Sequence, residues 1–278
     1  MANATAKEHA ARVLLHRWFA FVERDDNDVP TTLELMAPDI VLRTTYGEGK
    51  GHAAILAMLA SLPRGHSNSH ALQAFAVAPE AGGGTGVSLD ILHQHRTPQG
   101  VQNRMPLHYE VRLGERPGAL PQFKRIDIRA TGPNTPDPGP FMDQFAGHRA
   151  RSAFYQWLFL HDQNEADATP FSQLLDGKGF ELQLPEGTVA DTAAFAAHWA
   201  SRCPGLKDSQ HRVEALAVDP QRDGNYALRA ALSWKGTDAS GRAMAGASQH
   251  IWNLRESKER YPRIERIKVE VTRPFQAV

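Results

Sequence analysis

Cysteine is almost missing from this chain: Cys203 is the single one among 278 residues. That excludes an intramolecular disulfide and a cysteine zinc cluster. At the end of a helical run, a lone thiol reads as a small packed residue rather than a nucleophile. Long apolar runs are missing too. No stretch reaches the length a bilayer-spanning helix needs, and the N-terminal MANATAKEHAARVLLHRW lacks the unbroken apolar core of a secretory signal. Nor is there an excess of charge of one sign. Lys+Arg and Asp+Glu stand at 31 each, which argues against a phosphate-backbone partner. The expectation is a cytoplasmic protein with no nucleic-acid and no membrane partner. Its length leaves room for two domains, each able to bury a core.

What the chain does have is a repeat. Ser69–Pro79, SHALQAFAVAP, returns as Gln210–Pro220, QHRVEALAVDP, with His70 matching His211 at a shift of 141 (211 − 70). Each copy follows a small-residue helical run ending in proline, AAILAMLASLP and AAFAAHWASRCP. Gly100 with Gly241 and Ile126 with Ile267 keep the same shift, so the duplication covers nearly all of both halves.

Each half reads as three helices with one strand among them, followed by a run of antiparallel strands, which is α+β. In the first half, apolar residues recur at helical spacing from Ala6 to Arg24. Thr31-Thr32 opens a short helix, IVLRTTY is a strand before a GEGKG loop, and His52–Leu62 is the third helix. Strands then follow at Ala71–Val77, Val87–Arg96, Met105–Leu113 and Phe123–Arg129. The second half repeats the order with helices at Ala153–His161, Phe171–Leu175 and Thr192–Arg202 and the strand FELQL. Its later strands are Val213–Val218, Tyr226–Lys235, Ala247–Leu254 and Ile264–Val271. Between the halves, Pro133, Pro136, Pro138 and Pro140 come too densely for a helix or an interior strand. The expected domains are therefore 1–130 and 149–278, joined by a 131–148 linker.

RWFAFVERDD, APDIVLRTTYGEGKGHAAI, HALQAFAV and YEVRL together resemble the nuclear-transport-factor-2-like superfamily, in its SnoaL-like polyketide cyclase and ketosteroid isomerase branch. The resemblance implies two tandem cone-shaped α+β barrel domains, each a curved antiparallel sheet wrapped around about three helices, with an apolar pocket at the open end. It also implies an internal pseudo-dimer of the two copies, with further self-association open. Ketosteroid isomerase works with an Asp base and an oxyanion hole of Tyr and protonated Asp. Here the tyrosine position falls on Trp18 and the base position on Thr44, with Gln156 and Leu184 in the second half. The second acid lands near His108 and Gln249. Trp cannot act as an acidic phenol, and neither Thr nor Leu can take a proton from carbon at neutral pH, so steroid isomerisation is not expected.

The residues offer another constellation. Period two puts Leu89, Ile91, His93 and His95 on one strand face and Leu107, Tyr109, Val111 and Leu113 on another. His93, His95 and Tyr109 are the candidate catalytic groups, acting as acid, base and hydrogen-bond donor on a small apolar carbonyl compound. The competing account is histidines satisfied within the sheet or at its edge. The H-x-H pair lacks a third metal ligand at a recognisable spacing, so no metal and no cofactor is expected.

Candidate ligand-binding residues are Trp18, Glu23, Tyr46, His70, His211, Trp234 and His250. Against each stands a plainer role: core for the tryptophans, a solvated charge run for Glu23 beside Arg24, Asp25 and Asp26, a loop for Tyr46. His70 and His211 read equally well as strand-end structural histidines. The glycines of Gly82–Gly86 lack the GK[ST] ending of a phosphate loop. The expected function is a small-molecule pocket protein, as a cofactor-free isomerase, cyclase or dehydratase, with the first half the reactive one. The alternative is a non-catalytic ligand-binding or assembly module.

Overall fold

The computed structural model describes residues 3–24, 29–45, 47–61, 65–80, 84–116, 118–221 and 223–278. Two compact units result. The first is Leu14–His148; the second is Met1–Val13 together with Arg149–Val278. Their limits fall inside two long helices, α1 (Ala4–Val22) and α4 (Phe145–Gln163). No described helix is long and apolar enough to cross a membrane.

After α1, the first unit runs through α2 (Val29–Leu33), β1 (Met36–Thr44), β2 (Gly47–Lys50) and α3 (Gly51–Ala60). Then come β3 (Ser67–Pro79), β4 (Thr85–Arg96), β5 (Gln102–Gly114), β6 (Gln122–Ala130) and the two-residue β7 (Thr135–Pro136). The sheet order is β2-β1-β6-β5-β4-β3, with β7 beside β5. β1 and β6 are parallel, and the other pairs are antiparallel. The sheet stays open, with β2 and β3 as its edges.

The second unit repeats this. A 3₁₀ turn at Thr169–Gln173 stands where α2 does, followed by β8 (Glu181–Leu184), β9 (Gly187–Ala190) and α5 (Thr192–Arg202). β10 (Leu206–Pro220), β11 (Tyr226–Asp238), β12 (Ala243–Arg255) and β13 (Arg263–Ala277) complete the order β10-β11-β12-β13-β8-β9. β13 and β8 are its parallel pair. Even the irregularities match: the register slips between Leu72 and Ala74 in β3 and between Val213 and Ala215 in β10 (213 − 72 = 141). Such a bulge bends the strand and sharpens its twist.

Two expectations need correcting. GEGKG is no loop: its first four residues are β2, paired with β1. Glycine is needed there because a Cβ on Gly49 would come within 2.6 Å of the Met58 sulfur in α3. The second helix of the second half is a 3₁₀ turn, starting two residues before the expected Phe171. The proline-rich stretch is held by side chains of β3 and β4. Gln94 Nε2 donates to Asp137 Oδ2 at 2.7 Å, its Oε1 accepts from Met142 N at 2.9 Å, and Ser69 Oγ donates to the Met142 carbonyl. The glycine run falls partly outside the described residues.

The cores follow from the helix faces. In the first unit Trp18 packs edge-on to Phe123, and Phe19 edge-on to Tyr109. In the second, Phe154 and Trp157 of α4 meet Trp252 of β12, with Phe171 and Phe195 against Trp157. Buried ring pairs of this kind add about 0.5–1.5 kcal/mol each beyond their area.

Candidate functional site

α4 carries His161 and Asp162 in its last turn, and successive helical residues point to faces about 100° apart. Asp162 turns toward the start of β10, where its side chain is fully buried. It accepts the backbone N–H of His211, at 3.2 Å to Oδ1 and 3.0 Å to Oδ2, and the His211 ring Nδ1–H at 2.5 Å. Ser209 Oγ lies 3.5 Å from Oδ1 and itself accepts the indole N–H of Trp234 at 2.8 Å. From α1, His9 Nε2–H donates to the His211 carbonyl at 2.8 Å and lies 3.5 Å from Asp162 Oδ2. Burial alone would raise the Asp162 pKa, but the hydrogen bonds from His211 and His9 overcome it and hold it at about 2.

His161 takes the other face. Its ring sits among Trp157, Trp199 and Phe171, at centroid distances of 4.8, 4.6 and 5.4 Å. Burial, with the His211 charge adding to it, pushes its pKa well below the ordinary value. His250 of β12 is lowered to about 3 by burial and then by His211. Both imidazoles are therefore neutral at neutral pH. His161 Nε2 and His250 Nδ1 are buried without a hydrogen-bond partner.

These groups border a cavity of about 350 Å³, within the range of small-molecule sites. His161, His211 and His250 line it together with the rings of Trp157, Phe195, Trp199 and Trp234. Two glycines make room for the aromatic wall. A Cβ on Gly246 would fall 2.2 Å from the Phe275 ring, and one on Gly236 2.6 Å from the Trp234 ring. Those two rings meet edge-on at 5.2 Å. Gly246→Ala must therefore displace Phe275, and we expect a loss of about 1–3 kcal/mol by urea titration. A variant as stable as the parent would show that Phe275 moves freely.

The first unit holds the same arrangement. Glu23, one turn past the buried face of α1, is itself buried, not part of a solvated charge run. Its Oε1 accepts the backbone N–H of His70 at 2.6 Å and lies 3.2 Å from His70 Nδ1. His148 Nε2–H donates to the His70 carbonyl at 3.0 Å and lies 3.5 Å from Glu23 Oε1. Burial works against ionisation of Glu23, yet the bonds from His148 and His70 hold its pKa at about 2. Phe19 stacks on His70 at 5.1 Å, and His93 lies 4.8 Å from it across the β3–β4 pair.

His93 is lowered to about 3 by burial, then by His70 and His95, and its Nε2 is 3.3 Å from Asn68 Oδ1. His95 pairs instead with His66. Tyr109 faces inward and His108 outward, between Asp90 and Glu110. Burial drives the Tyr109 phenol upward, so it stays protonated. No hydrogen bond joins any two of His93, His95 and Tyr109. Trp18 is core, and Tyr46 lies outside the described residues. His211, Trp234 and His250 do come together, on the cavity wall. Among the described residues no three His, Cys, Asp or Glu side chains are placed to hold a metal ion. Cys203 is buried, with its thiol 3.2 Å from the Asn164 carbonyl and its pKa raised by burial.

The sequence reading missed Asp162, His9 and His148. Its alignment of Trp18 with Gln156 was out by one residue. The long helices match at a shift of 139 (162 − 23; 148 − 9), which sets acid on acid and Trp18 on Trp157, not on Gln156. That acid-for-acid match was the available signal.

No family model matches the chain, and no curated protein does. Among solved structures, a hexachlorocyclohexane dehydrochlorinase, LinA-type3, from Novosphingobium barchaimii is 16% identical, with a TM-score of 0.43 over 49% of this chain and 94% of its own. A nuclear transport factor 2 superfamily protein from Salmonella enterica is 10% identical, with a TM-score of 0.39 over 43% of this chain and 85% of its own. ActVI-ORFA from Streptomyces coelicolor is 13% identical, with a TM-score of 0.37 over 44% and 96%. By its own element order and strand topology, the chain is one α+β fold written twice in tandem.

Proposed function

We propose that the second unit takes a small, uncharged, largely apolar carbonyl compound and acts on it as a cofactor-free isomerase, cyclase or dehydratase. The observation that carries this is His211, fixed by a buried carboxylate and standing on the wall of a cavity beside two neutral imidazoles. A carboxylate oxygen can only accept, so Nδ1 of His211 donates to Asp162; in the neutral imidazole Nε2 then presents its lone pair. Nε2 then takes a proton from the carbon next to the carbonyl, and Asp162 stabilises the imidazolium that forms. An N–H of His161 or His250 can bond the oxygen that gains charge. The proton returns to carbon in an isomerisation, or to a departing hydroxide as water in a dehydration. A charged substrate is disfavoured, because burying an uncompensated ion is costly.

In the first unit Glu23 and His70 stand where Asp162 and His211 do, while His93 takes the place of Trp234 and Tyr109 that of His250, with His95 two residues along the strand from His93. A second reading, a binding module without turnover, draws on the same acid–histidine tie recurring in both copies and clamping a strand N–H in each.

The test is hydrogen–deuterium exchange at the carbon beside the carbonyl of β-tetralone in D₂O, followed by NMR, with tryptophan emission reporting binding. We expect exchange catalysed by the parent protein and lost in His211→Gln. Quenching of tryptophan emission without exchange would favour the binding module. Neither effect would remove the pocket reading.

A further inference from the structure

The acid–histidine pair of each unit has a third member that the reaction scheme above does not use. In the second unit it is His9, in α1; in the first it is His148, in α4. The two occupy matching positions (148 − 9 = 139) and make matching bonds. Each donates Nε2–H to the carbonyl of the strand histidine, at 2.8 and 3.0 Å, and each places the same nitrogen 3.5 Å from the acid. A carbonyl can only accept, so this nitrogen carries hydrogen in both copies. The acid differs between copies, Asp against Glu, and so does the residue behind the third histidine. His148 meets His16 Nδ1 at 2.9 Å, whereas His9 stacks on Tyr155 at 5.8 Å. The donor itself is kept.

We infer that His9 and His148 are positioning residues: each fixes, from a different helix, the carboxylate that orients the strand histidine. The inference rests on the acid–histidine pair, and on catalysis only for its consequence in turnover. Through its N–H, His9 holds the His211 carbonyl while sharing the negative charge of Asp162. A buried carboxylate bonded to His211 on one side and faced by the His9 N–H at 3.5 Å on the other keeps one rotamer, and the imidazole it orients keeps one as well.

The groups facing this centre are Asp162 and His161 from α4, His9 from α1, His211 and Ser209 from β10 and His250 from β12. Behind His9 stand Tyr155 and Arg12, whose guanidinium lies 5.3 Å from the Tyr155 ring.

The experiment compares His9→Gln, which can still donate through its amide, with His9→Met, which fills similar space without a donor. NMR of ¹³C-labelled aspartate follows the Asp162 carboxyl, and the deshielded Nδ1 proton of His211 reports its bond to Asp162. We expect H9M to raise the Asp162 midpoint above its value of about 2 and to weaken or lose the His211 signal. H9Q should restore both toward the parent. A midpoint and proton signal unchanged in a folded H9M protein would overturn the inference.

If H9M does not fold, the same readings on Glu23 and His70 in H148M and H148Q decide. Should both methionine variants unfold, folded glutamine variants support a required donor. Glutamine variants that also unfold overturn the donor as the cause. Absence of β-tetralone exchange with the H9M shift intact removes the catalytic reading alone.

Discussion

Asp162→Ala should unfold the second unit several kcal/mol more easily than the parent and abolish proton exchange. The carboxylate ends four interactions at once: the His211 ring, the His211 backbone N–H, Ser209 and His9. Removing one partner of a buried charged cluster typically costs about 3–5 kcal/mol, because the remaining donors lose their acceptor without regaining water. Asp162→Asn separates the two effects. Its amide keeps the shape and one acceptor, so it should fold. It still leaves His211 without the charge that stabilises an imidazolium, and β-tetralone exchange should fall to the level of H211Q.

Glu23→Ala is the counterpart in the first unit. It should destabilise comparably while leaving exchange in the second unit unchanged. Urea titration and the exchange rate, measured on all three variants, check this. An Asp162→Asn protein with full exchange activity would remove His211 from the mechanism.

Acid should loosen this protein earlier than its carboxylates alone would. In the unfolded chain His93, His161 and His250 take up protons as pH falls below the ordinary histidine value of 6.5. In the folded protein, His93 and His250 resist until about pH 3, and His161 is held well down as well. The unfolded state thus binds more protons over that window, and stability falls with falling pH. Three such groups give a slope approaching about 4 kcal/mol per pH unit.

Glu23 and Asp162 extend the loss. Their ordinary values are 4.5 and 3.8, their folded values about 2, so their stabilisation is complete above the former and disappears toward the latter. His108, raised by Glu110 and then Asp90, works in the opposite direction, but its surroundings are open to solvent. Typical stabilities of about 5–15 kcal/mol would be exhausted before the carboxylates finish titrating. Circular dichroism against pH should show unfolding begin above pH 4, and His250→Asn should flatten the slope by about one proton. Stability level between pH 6.5 and 4.5 would refute this.

Much of the fold was legible because duplication writes it twice. Residues at a constant shift fix the order of elements without knowledge of any partner, and period two put Leu107, Tyr109 and Val111 on one face, which only the fold shows to be the buried one. The site was harder. A helix has no internal marker of register, so a one-residue slip aligned Trp18 with Gln156 and hid Asp162. Glu23 also sits in a run of charges that looks solvated. Its burial is decided by His70, 47 residues away, and by His148, which no local pattern connects to it. β2 was misread for a similar reason: its Gly49 answers to Met58 and Ile55 of α3, not to a turn of its own.

The division of α1 between units also bears on how the chain is made. Residues 4–13 leave the ribosome well before Arg149–Val278, the rest of the unit they belong to. Until that partner appears, Ala6, Ala10, Ala11 and Val13, all buried in the finished protein, have no unit of their own to enter. Contacts this distant in sequence are slow to form, because a long loop must close before they contribute. The first unit can assemble as it emerges, while the second must wait for the final strands. Slow synthesis through the second half, or a pause after the proline-rich stretch, would lengthen that exposure, and holding chaperones would find their substrate at the front of the chain.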